Sequence, residues 1–95
     1  MAPNDRARWH ILFSGGVQHV GFRYTAYYMA RSLYLTGWVD NQPDGRVEME
    51  AQGGVTQLRR LIAQLKAAPH IRIEHMDIEK RPLAPFERKF EVRGY

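Results

Sequence analysis

Over the first third of the chain the hydrophobic period changes from two to about 3.6 residues, the period of an α-helix. The change falls in one short stretch, Gly15-Gly16-Val17-Gln18-His19-Val20-Gly21-Phe22-Arg23. A chain written this way leaves a strand, turns within a few residues and enters a helix. The first turn of a helix carries unpaired backbone N–H groups and a partial positive charge, so an anion is stabilised there. Glycines let those N–H groups approach a ligand without Cβ interference, and the turned backbone can itself form an anion-binding nest. Arg23 adds a planar, permanently charged fork. Taken alone, the stretch reads either as an anion cradle or as a plain glycine-rich turn followed by a solvated arginine. Glycine spacing does not choose between them.

The flanking patterns set the rest of the fold. Residues 1–7 are polar with Pro3 and are expected to be a loose terminus, with a single domain over 8–95. Trp9, Ile11 and Phe13 alternate with His10, Leu12 and Ser14; apolar groups on both sides point to a central strand. Phe22, Ala26, Met29, Ala30 and Leu33 form a helical stripe, and Gly37 is the expected stop. Trp38-Val39-Asp40-Asn41, Gln42-Pro43-Asp44-Gly45 and Arg46-Val47-Glu48-Met49-Glu50 read as a hairpin, which places Asn41 where the first arm meets the turn.

Gly53-Gly54 then separates the hairpin from a second helix bearing Val55, Leu58, Leu61, Ile62 and Leu65 on one side. Ile71 and Ile73 share one strand parity, Met76 and Ile78 the other, so a bulge or a change of packed face is expected at Glu74 and His75. Phe86, Phe90 and Val92 alternate with charged residues as a last, edge strand. The order is that of an α+β ferredoxin-like βαββαβ sandwich: two helices on one face of a mainly antiparallel sheet, with an extra C-terminal strand.

Composition narrows the function. The 95 residues suit one compact domain, and with 44% hydrophobic residues the chain can build a core. It has no cysteine, which removes disulfides, thiolate catalysis and sulfur-ligated metals. No apolar run approaches the roughly 18 residues of a membrane span, and the first eight residues lack the apolar centre of a signal peptide. A soluble, cytoplasmic protein without membrane partners is therefore expected. The net charge of +4 favours anions, and its spread along the chain favours a small anion over nucleic acid. The basic-aromatic strand of an RNA-binding domain of this layout is also missing, since 46–50 alternates acidic with aliphatic residues.

Among catalytic constellations, no serine sits in a nucleophile elbow and the four histidines lack zinc-binding spacing. What remains is an anion clamp and an uncharged amide. If the strand that carries Asn41 neighbours the first strand, Asn41 and Arg23 end at the same rim, where the carboxamide can orient a water without adding a charge that repels the anion. Its plainer use is as a turn former. Phosphoryl transfer relies chiefly on positioning and charge stabilisation, so this small set of groups is sufficient for it.

Gly15 to Arg23, Gly37-Trp38-Val39-Asp40-Asn41 and Pro43-Asp44-Gly45-Arg46-Val47-Glu48 together closely resemble the acylphosphatase family, over nearly the whole chain. The resemblance implies metal-independent hydrolysis of the carboxyl-phosphate anhydride of a small-molecule acyl phosphate. Loop N–H groups of Gly16, Val17, Gln18, His19, Val20 and Gly21 would bind the phosphate, Arg23 would grip its oxygens, and Asn41 would orient the attacking water. It implies no metal or organic cofactor, inorganic phosphate as product and competitive inhibitor, and a monomer. Two positions depart from the usual loop G-x-V-Q-G-V-x-F-R. His19 replaces a glycine where φ > 0 is expected, and Gly16 stands where a larger, often basic residue is common. The other reading is a non-catalytic anion-binding module, because one fold hosts many functions.

Overall fold

A computed structural model describes residues 5–94. The elements are β1 (Arg6–Gly16), α1 (Phe22–Ser32), β2 (Thr36–Asn41), β3 (Val47–Gly54), α2 (Val55–Ala67), β4 (Arg72–Arg81) and β5 (Phe90–Val92). The five strands form one sheet in the order β4-β1-β3-β2-β5. All neighbours are antiparallel except β2 and β5, which are parallel. Both helices pack on one face, as expected for the ferredoxin-like arrangement with an added strand.

This topology decides where a site can lie. β3 runs against both β1 and β2, so β1, β2 and β5 all point the same way. Their C-terminal ends reach one rim, where α1 also begins. The hairpin does not set β2 beside β1, as a simple convergence of Arg23 and Asn41 would require; β3 lies between them. They reach a common rim because α1 crosses over the sheet from the end of β1 toward β2.

The core forms between the helices and the alternating inward residues of the sheet. Ile11, Phe13, Val39, Val47 and Met49 meet Phe22, Ala26, Ala30, Leu58, Leu61 and Leu65, all buried. The Phe13 and Phe22 rings lie 4.9 Å apart, tilted by 56°, a favoured aromatic geometry. Phe22 is the first residue of α1, so this contact locks the helix start directly beside Arg23. The slip in β4 is a bulge. Opposite Ser14 and Gly15 the partners jump from His75 to Ile73, leaving Glu74 unpaired in the register and returning Ile73 and Met76 to the core side.

Several boundaries differ from the sequence reading. Residues 1–4 of the expected loose terminus lie outside the described residues, while Arg6 and Ala7 are strand, paired with Gly54 and Gly53. Those two glycines thus end β3 rather than forming a separate turn. Helix α1 is stopped by Tyr34, at φ 59°, with Leu35 N–H donating to Ala30 O (2.9 Å) and Tyr34 N–H to Arg31 O (3.0 Å). This is the double-bonded left-handed cap usually built on glycine. Gly37 is needed for another reason: a Cβ there would collide with the carbonyl of Glu50 on β3.

Phe86 is 87% exposed and outside the last strand, which spans only Phe90–Val92. The segment before it must cross the open face of the sheet from β4 at one edge to β5 at the other. Side chains hold it there: the Gln52 amide bonds Ala84 O (3.0 Å) and Ala84 N–H (2.7 Å), and Arg8 donates to both Glu87 oxygens (2.7 and 3.1 Å) and to Glu50 (2.6 Å). Burial alone would lower the Arg8 pKa, but the hydrogen bonds and charges of Glu87 and Glu50 outweigh it and raise it above the usual value.

Candidate functional site

The loop between β1 and α1 is held by what its side chains do away from the rim. Val17 is fully buried and Val20 packs against the core. Gln18 Nε2 donates to two hairpin carbonyls, Gln42 O (2.7 Å) and Arg46 O (2.9 Å). The loop that leads into α1 is thereby tied to the turn that follows Asn41. A second set of bonds backs this turn: Gln42 Nε2 donates to Glu48, whose other oxygen lies 2.6 Å from His10 Nε2.

His19 takes φ 63°, the left-handed conformation anticipated for a residue in place of glycine. Gly21 follows at φ 79° as the N-cap, with no side chain capping the helix and no acidic residue in its first turn. No carboxylate within the first turn of α1 therefore competes for the positive end of the helix. Gly16 is overlain by β4: a Cβ there would sit 3.4 Å from Arg72 Cβ and 3.6 Å from its guanidinium. That guanidinium is paired with Glu74 at 2.9 Å.

Arg23 and Asn41 line the same cavity, of about 210 Å³, together with Val17, His19, Gly21, Phe22 and Tyr24. Asn41 reaches it by strand alternation, since Asn41 and Val39 share a face and Val39 is buried beneath the helices. Its carboxamide makes no hydrogen bond to a described residue. Gly16, Gln18 and Val20, expected in the cradle, are not in the cavity wall, and the Gln18 side chain is committed to the hairpin.

The sequence reading missed the group that orients Arg23. Its Nη1 donates to the main-chain carbonyl of Arg93 at 2.7 Å, just beyond β5. Arg93 is itself fixed by its N–H to Val39 O (2.8 Å) and by its guanidinium 4.3 Å over the Trp38 ring. A Cβ on Gly94 would press Asp40 Oδ1 at 2.8 Å and Arg23 Nη1 at 3.2 Å, so only glycine fits comfortably between them. No side-chain pattern signals a carbonyl acceptor. The rest of the Arg23 fork makes no other hydrogen bond to a described residue. Among the described residues, no three His, Cys, Asp or Glu gather as a metal site, and no helix is long and apolar enough to cross a membrane.

A ferredoxin-like sandwich with a helix N-terminus, a guanidinium and a free carboxamide at one rim defines a small anion-handling α+β protein. The acylphosphatase family model matches residues 9–92, and the chain belongs to that family. An acylphosphatase of Geobacillus thermodenitrificans is 40% identical over 86 residues, 90% of this chain and 92% of that protein. The structure of an acylphosphatase from Coxiella burnetii superposes with a TM-score of 0.86 at 30% identity, covering 98% of this chain and all of that one. The crystal structure of HypF from T. kodakarensis matches at a TM-score of 0.81 and 30% identity, over 95% of this chain but 12% of that one. The protein is a hydrolase of the acylphosphatase type, acting on acyl phosphates.

The clamp made by Gln18 can be tested directly. Gln18→Ala removes two hydrogen bonds between loop and hairpin and is expected to lower kcat/KM for benzoyl phosphate about tenfold with little loss of thermal stability. Steady-state kinetics beside a thermal melt would check it. Unchanged kinetics would mean that the loop holds its shape without the clamp.

Proposed function

We propose that the acyl phosphate is hydrolysed in the cavity shared by the loop, Arg23 and Asn41, without a metal or organic cofactor. The phosphate rests against loop N–H groups at the start of α1, with Arg23 bonding two of its oxygens. Asn41 holds a water through its carboxamide for in-line attack on phosphorus. The new P–O bond forms as the bond to the acyl oxygen breaks, and the carboxylate leaves with the electron pair. One proton of the water passes to the phosphate, giving a carboxylate and dihydrogen phosphate. A carboxylate is a weakly basic leaving group, so no strong general acid is needed.

The observation that carries this reading is the lining of one small cavity by His19, Gly21 and Arg23 from the loop and the start of α1 together with Asn41 from the end of β2. It is supported by the absence of acidic residues in the first turn of α1. Hydrolysis of benzoyl phosphate with EDTA present tests the reaction and its independence from metals together. Activity is expected to persist, with inorganic phosphate inhibiting competitively. Activity that EDTA removes, or non-competitive inhibition, would refute the mechanism.

A further inference from the structure

Three recesses that share lining residues follow one another from the candidate site along α1 and β5, and together they outline a furrow. Tyr24, in the wall of the candidate cavity, also borders a recess of about 440 Å³ with Tyr27 and Lys89. Tyr27 and Lys89 in turn border a groove of about 470 Å³ that ends at Arg31, Tyr34 and Arg88. Tyr24, Tyr27 and Arg31 stand at i, i+3 and i+7 of α1, so they share a face about 10 Å long, separate from the Phe22, Ala26 and Ala30 stripe that enters the core. The furrow is aromatic along its length and cationic at its end.

The far end gathers the side chains of Arg31, Arg88 and Lys89 in one wall. Arg31 donates to Tyr27 Oη at 3.2 Å and lies 5.5 Å from the centroid of that ring. Neither Arg31 nor Arg88 pairs with a described carboxylate, whereas Lys89 shares its charge with Glu91 at 3.5 Å. Thr36, in the same wall, has a buried Oγ1 without a hydrogen-bond partner. Tyr34, left-handed as the cap of α1, leaves its side chain 92% exposed at this end of the groove.

We propose that the acyl half of the substrate lies in this furrow, so that the protein prefers acyl phosphates whose extended aromatic acyl group ends in a second anion. Tyr24 and Tyr27 offer ring faces to the acyl group, and Arg31 and Arg88 bind its distal charge. The assignment rests on the phosphate site proposed above. It selects among acyl phosphates and adds no chemical step.

The test compares benzoyl phosphate with two longer substrates, the acyl phosphate of biphenyl-4-carboxylic acid and the mono-acyl phosphate of biphenyl-4,4′-dicarboxylic acid. Wild-type kcat/KM is expected to be about tenfold higher for the diacid derivative than for the monoacid, the worth of one charged contact. Arg31→Ala/Arg88→Ala should abolish that preference and leave benzoyl phosphate unchanged; Arg31→Glu/Arg88→Glu should invert it. Equal rates for the two biphenyl substrates, or a preference that survives the double alanine variant, would overturn the inference while turnover of benzoyl phosphate leaves the phosphate site standing. Failure to hydrolyse any of the three would overturn both.

Discussion

Arg23→Lys is expected to lower kcat/KM for benzoyl phosphate about a thousandfold, near 4 kcal/mol of barrier, while the protein stays folded. Loss of one preorganised donor to a developing charge costs a hundred- to a thousandfold, and lysine loses more than one donor. The guanidinium is a rigid fork. One arm bonds the Arg93 carbonyl, and that bond sets the angle at which the remaining donors face the cavity. An ammonium on a flexible stem can satisfy the carbonyl or a phosphate oxygen but cannot present two parallel bonds. The fold should survive because Arg23 lies at the rim, beside a helix start anchored by Phe22 and Phe13. Far-UV circular dichroism and a melt would establish that, and a lysine variant with near-normal kinetics would remove the fork from the mechanism.

Asn41→Ala is the second large effect, a drop in kcat of about a hundredfold, near 2.7 kcal/mol, with the inhibition constant of phosphate little changed. In the proposed mechanism the carboxamide acts on the water and not on the anion, so its loss should appear in turnover rather than in ground-state binding. Asn41→Asp adds the contrast. Its carboxylate would also hold a water, but the negative charge beside the phosphate should weaken phosphate inhibition. If the alanine variant kept its kcat, Asn41 would be only the residue that ends β2 before the turn at 42–45. The hairpin does not need it for that, because Asp44 Oδ1 accepts the Arg46 N–H at 3.0 Å and Gln42 N–H reaches Arg46 O at 2.8 Å.

The candidate site was legible in part. The loop, Arg23 and Asn41 stand out because each carries a local demand that sequence records: a glycine for the left-handed backbone at 21, a charged fork in a first turn, an amide at a strand end; the left-handed backbone at His19 was expected only from the family's usual loop. Gln18 and Val20 send their side chains to the hairpin and the core, which motif membership does not reveal and which leaves the role expected of their main-chain N–H groups untouched. Gln18 is the clearest case, since its partners are carbonyls of a turn more than twenty residues away. The Arg93 carbonyl left no trace in the sequence, because a main-chain acceptor is the same at every residue.

The sequence by itself determined the order of strands and helices, the stripes that face the core, and the break in strand parity near Glu74, because side-chain period and parity are local and survive in the written chain. Only the tertiary structure decided that β3 separates β1 from β2, that Tyr34 rather than Gly37 stops α1, and that the segment before β5 crosses the open face under Arg8 and Gln52. Those outcomes depend on which distant backbone groups find each other, and the pairing energy resides in N–H and C=O groups that every residue shares.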